Sequence, residues 1–140
     1  MAGERYRLTG FAMPEGLDEL HDLLERAAAE DDTVDPTDLM LFETAVIEIA
    51  SNVVKHGEPA GGVRWRFDLG ITDTDLEATL HDDGQEFEGE VDRAMPDLDA
   101  EGGRGLALAS SMLDELAYAR EDDGNVWRMV KHRAERPEEG

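Results

Sequence analysis

The chain contains no cysteine in 140 residues. Disulfides, thiolate zinc sites and cysteine nucleophiles are therefore excluded. Basic residues are scarce, 13 Lys and Arg against 35 Asp and Glu, for a formal net charge of −22 and a sequence pI near 4.2. Binding to duplex DNA needs clustered Lys and Arg to neutralise phosphates, and docking to an anionic membrane needs the same, so neither is expected. A nucleotide can still be held, but only by backbone donors, a metal ion or a few placed cations. Long apolar runs are missing too. None approaches the ~20 residues of a membrane span, and Met1–Gly10 lacks a signal-peptide core. The expected setting is cytoplasmic. The length suits one compact domain with a real core. Residues 1–133 are read as that domain and 134–140, with Pro137, as a frayed acidic tail. No internal repeat or low-complexity block is present.

Arg5–Ala12 alternates enough to predict a strand, with Tyr6 and Leu8 on one face. Pro14 stands at a first helical turn, and Leu17, Leu20, Leu23, Leu24 and Ala27 repeat at helical spacing to about Glu30. A second helix opens at Asp35-Pro36, a cap followed by proline at the first helical position. Its apolar stripe is Leu39, Phe42, Val46, Ile49 and Val53, and it stops at His56-Gly57. Strands are predicted over Val63–Ile71, from Leu76 to Asp82, over Glu115–Arg120 and over Val126–His132, the last two joined by a turn at Asp122–Asn125. No period survives from Asp83 to Gly103, and an aperiodic stretch of that length in a small domain tends to be functional. A short helix is predicted over Gly105–Leu113. Short turns between consecutive strands imply antiparallel pairing, so the expected class is α+β. Helices should cover one face of a mixed, mostly antiparallel sheet in a two-layer sandwich.

Three features could carry chemistry. Glu48 and Asn52 are four residues apart on the second helix, one turn above each other, on a face rotated away from the apolar stripe. An amide oxygen can ligate Mg²⁺, and a carboxylate beside it can accept a proton from a hydroxyl. Lys55 and His56 follow at the helix end. Taken alone, the pair is more often a solvent-facing polar face. Asp82-Asp83-Gly84-Gln85-Glu86-Phe87 puts a carboxylate at a strand terminus, with glycine two residues on for close ligand approach. An acidic turn reads the same way. Glu101-Gly102-Gly103-Arg104-Gly105-Leu106 sets three glycines and an arginine immediately before a helix, where backbone N–H groups can converge on an anion. A hinge is the bland alternative.

In order and spacing together, the Glu48–Gly57 segment, Asp82–Phe87, Glu101–Leu106 and Met112–Glu115 resemble the Bergerat ATP-binding fold of histidine kinases, gyrase, Hsp90 and MutL. Within it the sequence is most similar to the bacterial anti-sigma-factor serine/threonine kinases, from about Arg5 to His132. The resemblance implies ATP and Mg²⁺ as cofactors. By the same resemblance, Glu48 is the general base that activates a substrate serine, and Asn52 is the Mg²⁺ ligand. Asp82 accepts from the adenine amino group, with Gly84 beneath the base. The Asp83–Gly103 stretch is a lid, Gly103 and Gly105 cradle phosphates, and Leu106 follows them in the motif. Lys55 and Arg104 are placed to touch phosphates. The implied partners are an anti-sigma-factor antagonist as substrate, a sigma factor, and a second copy in a homodimer.

Two departures qualify the match. Glu86 stands where many Bergerat domains have a second glycine, a replacement these kinases tolerate when an aromatic such as Phe87 follows. The lid is unusually acidic: from Asp82 to Glu101, both included, there are nine Asp or Glu against Arg93 alone. His56 lies in the helix expected to bind ATP and no phosphoacceptor helix is read ahead of it, so a sensor histidine kinase is not expected. The alternative is a catalytically idle module that uses nucleotide to select protein partners. Both readings need Asn52 and Asp82, but only the kinase needs Glu48.

Overall fold

The computed structural model describes residues 4–31, 33–56, 62–85, 101–122 and 124–133, with the backbone alone at 4 and 101–105. The elements in chain order are β1 (Glu4–Phe11), α1 (Pro14–Glu30), α2 (Pro36–His56), β2 (Arg64–Ile71), β3 (Asp75–Asp82), α3 (Glu101–Met112), β4 (Glu115–Glu121) and β5 (Gly124–His132). The expected loop of 83–103 and the expected tail lie largely outside the described residues, as does Gly57.

Each element forms for a local reason. Asp35 caps α2: its Oδ2 accepts from the N–H groups of Thr37 (3.0 Å) and Asp38 (3.1 Å), two donors that the helix itself cannot satisfy. Pro36 follows at the first helical position, where its missing N–H costs nothing. Strand β3 alternates buried and half-buried residues along its whole length, and β2 nearly so, the signature of one covered face. Between them Thr72 Oγ1 accepts from the Asp75 N–H at 3.0 Å and closes the turn.

The sheet order is β1-β2-β3-β5-β4, and all four pairings are antiparallel. The expected two-layer sandwich is what forms. No parallel pair occurs among the described residues. The hairpin β4–β5 is tighter than its sequence suggests. Glu121 pairs with Gly124, so Asn125 is a strand residue and not part of the turn. Asp122 supplies the left-handed corner at φ 47°.

The core lies between the helices and one sheet face. Leu20, Leu24, Phe42, Val46 and Ile49 meet Trp65, Phe67, Leu80, Trp127 and Met129, all at most 3% exposed. Burying each such side chain contributes roughly 1.5–3 kcal/mol. Helix α2 sits in the middle of the helical layer, packed on both α1 and α3 and touching β3 and β5. Its burial is therefore wider than the predicted stripe. Ala45, Ala50 and Asn52 are buried as well, and Leu39 at the start of that stripe is only half-buried.

The register sorts the strand ends. Phe11, Arg64, Asp82 and Asn125 share one end of the sheet, whereas Glu4, Ile71, Asp75 and His132 share the other. At that second end His132 Nδ1 lies 2.6 Å from Asp75 Oδ1. The contact raises the imidazole pKa and lowers that of the carboxyl.

Candidate functional site

Two sequence features meet at the first end of the sheet. Asp82 is the last residue of β3 and is 6% exposed. Its Oδ1 accepts from the Gly84 N–H at 2.9 Å and from Asn125 Nδ2 at 2.8 Å, and its Oδ2 accepts from Trp127 Nε1 at 3.3 Å. Three donors hold the carboxylate as an acceptor, and Oδ2 keeps lone-pair capacity for a further N–H donor. Gly84 is buried, and a Cβ there would come 3.1 Å from Asp82 Oδ1 and 3.3 Å from Val63, so a side chain would crowd the carboxylate. The next residue, Gln85, donates from Nε2 to the His56 carbonyl at 3.1 Å. The Asp82 segment is thereby tied to the end of the helix that carries Glu48 and Asn52.

On α2, Glu48 is half-buried and Asn52 is 8% exposed. Neither side chain makes a hydrogen bond or an ion pair among the described residues. A mostly buried amide usually finds partners within the fold. The Asn52 amide is not among the enclosed atoms left without a partner, so it opens to solvent. It does so one turn from the half-buried Glu48 carboxylate, and its oxygen is of the type that Mg²⁺ accepts. Lys55 and His56 are exposed in the last turn.

Helix α3 corrects one expectation. It starts at Glu101, so Gly102, Gly103 and Arg104 lie in its first turn and not in a loop ahead of it. The correction keeps the chemistry. The first four N–H groups of a helix have no partner inside it, and the helix field there favours an anion. Gly105 follows within the helix, and Leu106, 4% exposed, joins the core. Most of the acidic stretch expected as a lid, including Glu86, Phe87 and Arg93, lies outside the described residues.

The arrangement also holds residues that sequence reasoning missed. Asn125, 4% exposed, is the hub of the strand-end network. Beyond Asp82, its Nδ2 donates to the Gln85 carbonyl at 2.9 Å. Its Oδ1 accepts from the Tyr118 hydroxyl at 2.5 Å and from Arg120 at 3.2 Å. Arg120 also donates to the Gly84 carbonyl at 2.8 Å, so two side chains from β4 and β5 clamp the turn after β3. Tyr118 packs on Trp127 with ring centroids 4.7 Å apart. A signal existed. Asn125, Trp127 and Met129 alternate on one strand face, but the Asp-Asp-Gly-Asn run reads first as a four-residue turn.

A cavity of about 640 Å³ opens beside this network, lined by Thr9, Phe11, Arg64, Arg66, His81 and Val126 among others. The arginines and His81 belong to the sheet face away from the helices. His81 is held below the ordinary histidine range, chiefly by burial and then by Arg66, whose guanidinium lies 3.2 Å from its Nδ1. This cavity is separate from the Glu48–Asn52 face of α2.

Comparison with known proteins agrees with the geometry. The family described as "Histidine kinase-like ATPase domain" matches residues 12–131. Set against the curated proteins, the sequence has no match. Among solved structures, the chain is similar to the crystal structure of the RsbU and RsbW domains of Rv1364c from Mycobacterium tuberculosis. The TM-score is 0.68 at 19% identity, covering 93% of this chain and 32% of that one. The likeness is one of fold, and the chain spans about a third of that neighbour's length.

Proposed function

The chain belongs to the histidine kinase-like ATPase domain family, and from that premise we propose that it is an ATP-dependent serine/threonine protein kinase of the anti-sigma-factor type. Its substrate is an anti-sigma-factor antagonist, and its second partner is the sigma factor it sequesters. The observation that carries the reading is Glu48 one turn from the buried Asn52, neither with a side-chain partner among the described residues, on the helix to which the Asp82 segment is tied. A module that only bound nucleotide would need Asn52 and Asp82 but not the carboxylate. The RsbW domain in the name of the solved neighbour supports the same class.

Bound Mg·ATP supplies the phosphoryl group. Asp82 Oδ2 would accept from the exocyclic amino group of the base, and Gly84, with no side chain, would leave room for the ring. The Asn52 amide oxygen would hold the metal, being an oxygen donor of the kind Mg²⁺ prefers. The first-turn N–H groups of α3, Gly103 and Gly105 among the residues there, would hold the phosphates, and Lys55 and Arg104 would supply positive charge to them. Glu48 would accept the proton of the substrate serine hydroxyl. Phosphoryl transfer rests mainly on positioning and charge stabilisation, so this small set of groups suffices.

The test pairs calorimetric titration of ATP, with Mg²⁺ and with EDTA, and phosphate transfer to a serine-bearing antagonist protein. Glu48→Ala is expected to leave nucleotide affinity within about threefold while transfer falls at least ~100-fold, the scale of a lost general base. If affinity and transfer fall together, Glu48 is structural. Binding by the unmodified protein without transfer to any antagonist would establish the idle, partner-selecting module instead.

A further inference from the structure

Helices α1 and α2 face each other across three side chains that neither the core nor the nucleotide site uses. His21 and Glu25 are one turn apart on α1, and Glu43 projects from α2. His21 Nδ1 lies 2.7 Å from Glu43 Oε2, and Nε2 lies 3.7 Å from Glu25 Oε2. One donor atom from each residue falls within 4.8 Å of the other two. His21 and Glu25 are open to solvent, with side chains 56% and 63% exposed, whereas Glu43 is 16% exposed.

Two features separate this group from an ordinary acidic patch. The donor set is mixed, one imidazole with two carboxylates, which suits Zn²⁺ and its first-row neighbours better than Mg²⁺ or Ca²⁺. Secondly, Glu43 Oε2 is enclosed yet accepts no well-directed hydrogen bond. The His21 nitrogen is near enough for an ion pair but is not aligned to donate. Burial raises the Glu43 carboxyl above the usual range, Glu25 pushes the same way, and only His21 opposes them. The ionised carboxylate is thus short of positive charge where it stands.

We propose that His21, Glu25 and Glu43 form a divalent transition-metal site, best matched to Zn²⁺, that clasps α1 to α2. Three protein ligands with one open position are an established zinc arrangement, and water completes it. Ligands on one tetrahedral ion sit roughly 3.4 Å apart for metal–ligand bonds near 2.1 Å. One donor atom from each of the three residues already lies within 4.8 Å of the other two, near that spacing. The site is distinct from the Mg²⁺ position at Asn52 and needs no nucleotide. It bears on the nucleotide site only through α2, which carries Glu43 and Glu48 five residues apart.

The full chain, without nucleotide, is titrated with ZnCl₂ and separately with MgCl₂ by calorimetry and thermal melting, and Co²⁺ is used as a spectroscopic substitute. One Zn²⁺ per chain is expected, with a higher melting temperature and the intense visible absorption of tetrahedral cobalt. His21→Ala, at an exposed position, should fold normally and lose at least about tenfold in Zn²⁺ affinity. Glu43→Gln should lose as much, and Glu25→Gln serves if that variant does not fold. His132→Ala, whose ring pairs with Asp75, should bind Zn²⁺ as the unmodified chain does. Equal affinity in His21→Ala and the unmodified chain would overturn the proposal. So would several weak sites that take Zn²⁺ and Mg²⁺ alike, since these would report only the acidic surface.

Discussion

Asn125 shows how much one residue can hold in place. Its amide satisfies Asp82 Oδ1 and the Gln85 carbonyl while accepting from Tyr118 and Arg120. Replacing it by alanine removes these bonds from a position 4% exposed and strands polar groups on both sides. A net hydrogen bond is worth about 1 kcal/mol, and a stranded buried partner costs ~1–3 kcal/mol more. Asn125→Ala is therefore expected to destabilise the fold by about 2–4 kcal/mol. Its nucleotide affinity should fall too, as Asp82 is freed to rotate. Urea unfolding measures the first effect and calorimetry the second. A loss under about 0.5 kcal/mol would mean that water takes over the amide's contacts.

At the level of elements, α2 carries Glu48 and Asn52, so its register against the sheet sets their positions. The Asp35 cap helps to fix that register at the far end. Asp35→Ala should cost about 1 kcal/mol in thermal or urea unfolding, the usual value of such a cap. An unchanged midpoint would show that tertiary packing alone defines where α2 begins. Cap and proline made this helix legible in the sequence, and strict alternation made β2 and β3 so. Legibility stopped where a signal had two readings. Glycines depress helix propensity, so Gly102 and Gly103 read as loop, yet α3 begins at Glu101 because helical packing on α2 overrides that preference. Asn125 read as turn because Asp-Asp-Gly-Asn is turn chemistry, whereas the sheet register makes it strand. Of the candidate site, Glu48, Asn52 and Asp82 could be picked out because each stands in a spaced motif. The clamp by Tyr118, Arg120 and Asn125 could not, because it depends on pairing between strands 36 to 43 residues from the segment they hold.

For the whole molecule, the charge sum outweighs any single pair. With 35 acidic residues against 13 Lys and Arg, 22 carboxylates are left without a Lys or Arg of their own even if every one is paired one to one. The exposed pairs Arg7–Asp68 and Arg128–Glu115 contribute at most about 1 kcal/mol each. Self-repulsion spread over the surface is the larger effect. Raising NaCl from about 10 mM to about 1 M shortens the screening length from ~30 to ~3 Å. The melting temperature should therefore rise by several degrees. A fall would mean that the local pairs, which salt also weakens, matter more than the net charge.

The polarity of the sheet has a consequence for how such a module can be joined to others. Both described ends of the chain, Glu4 and Arg133, emerge where β1 pairs with Ile71 and β5 passes Asp75. Asp82 and Asn125 lie at the opposite end. Further polypeptide attached at either side would start from the end of the sheet remote from Asp82 and Asn125. The fold is therefore a socket with its leads at the back, suited to being wired into a longer chain.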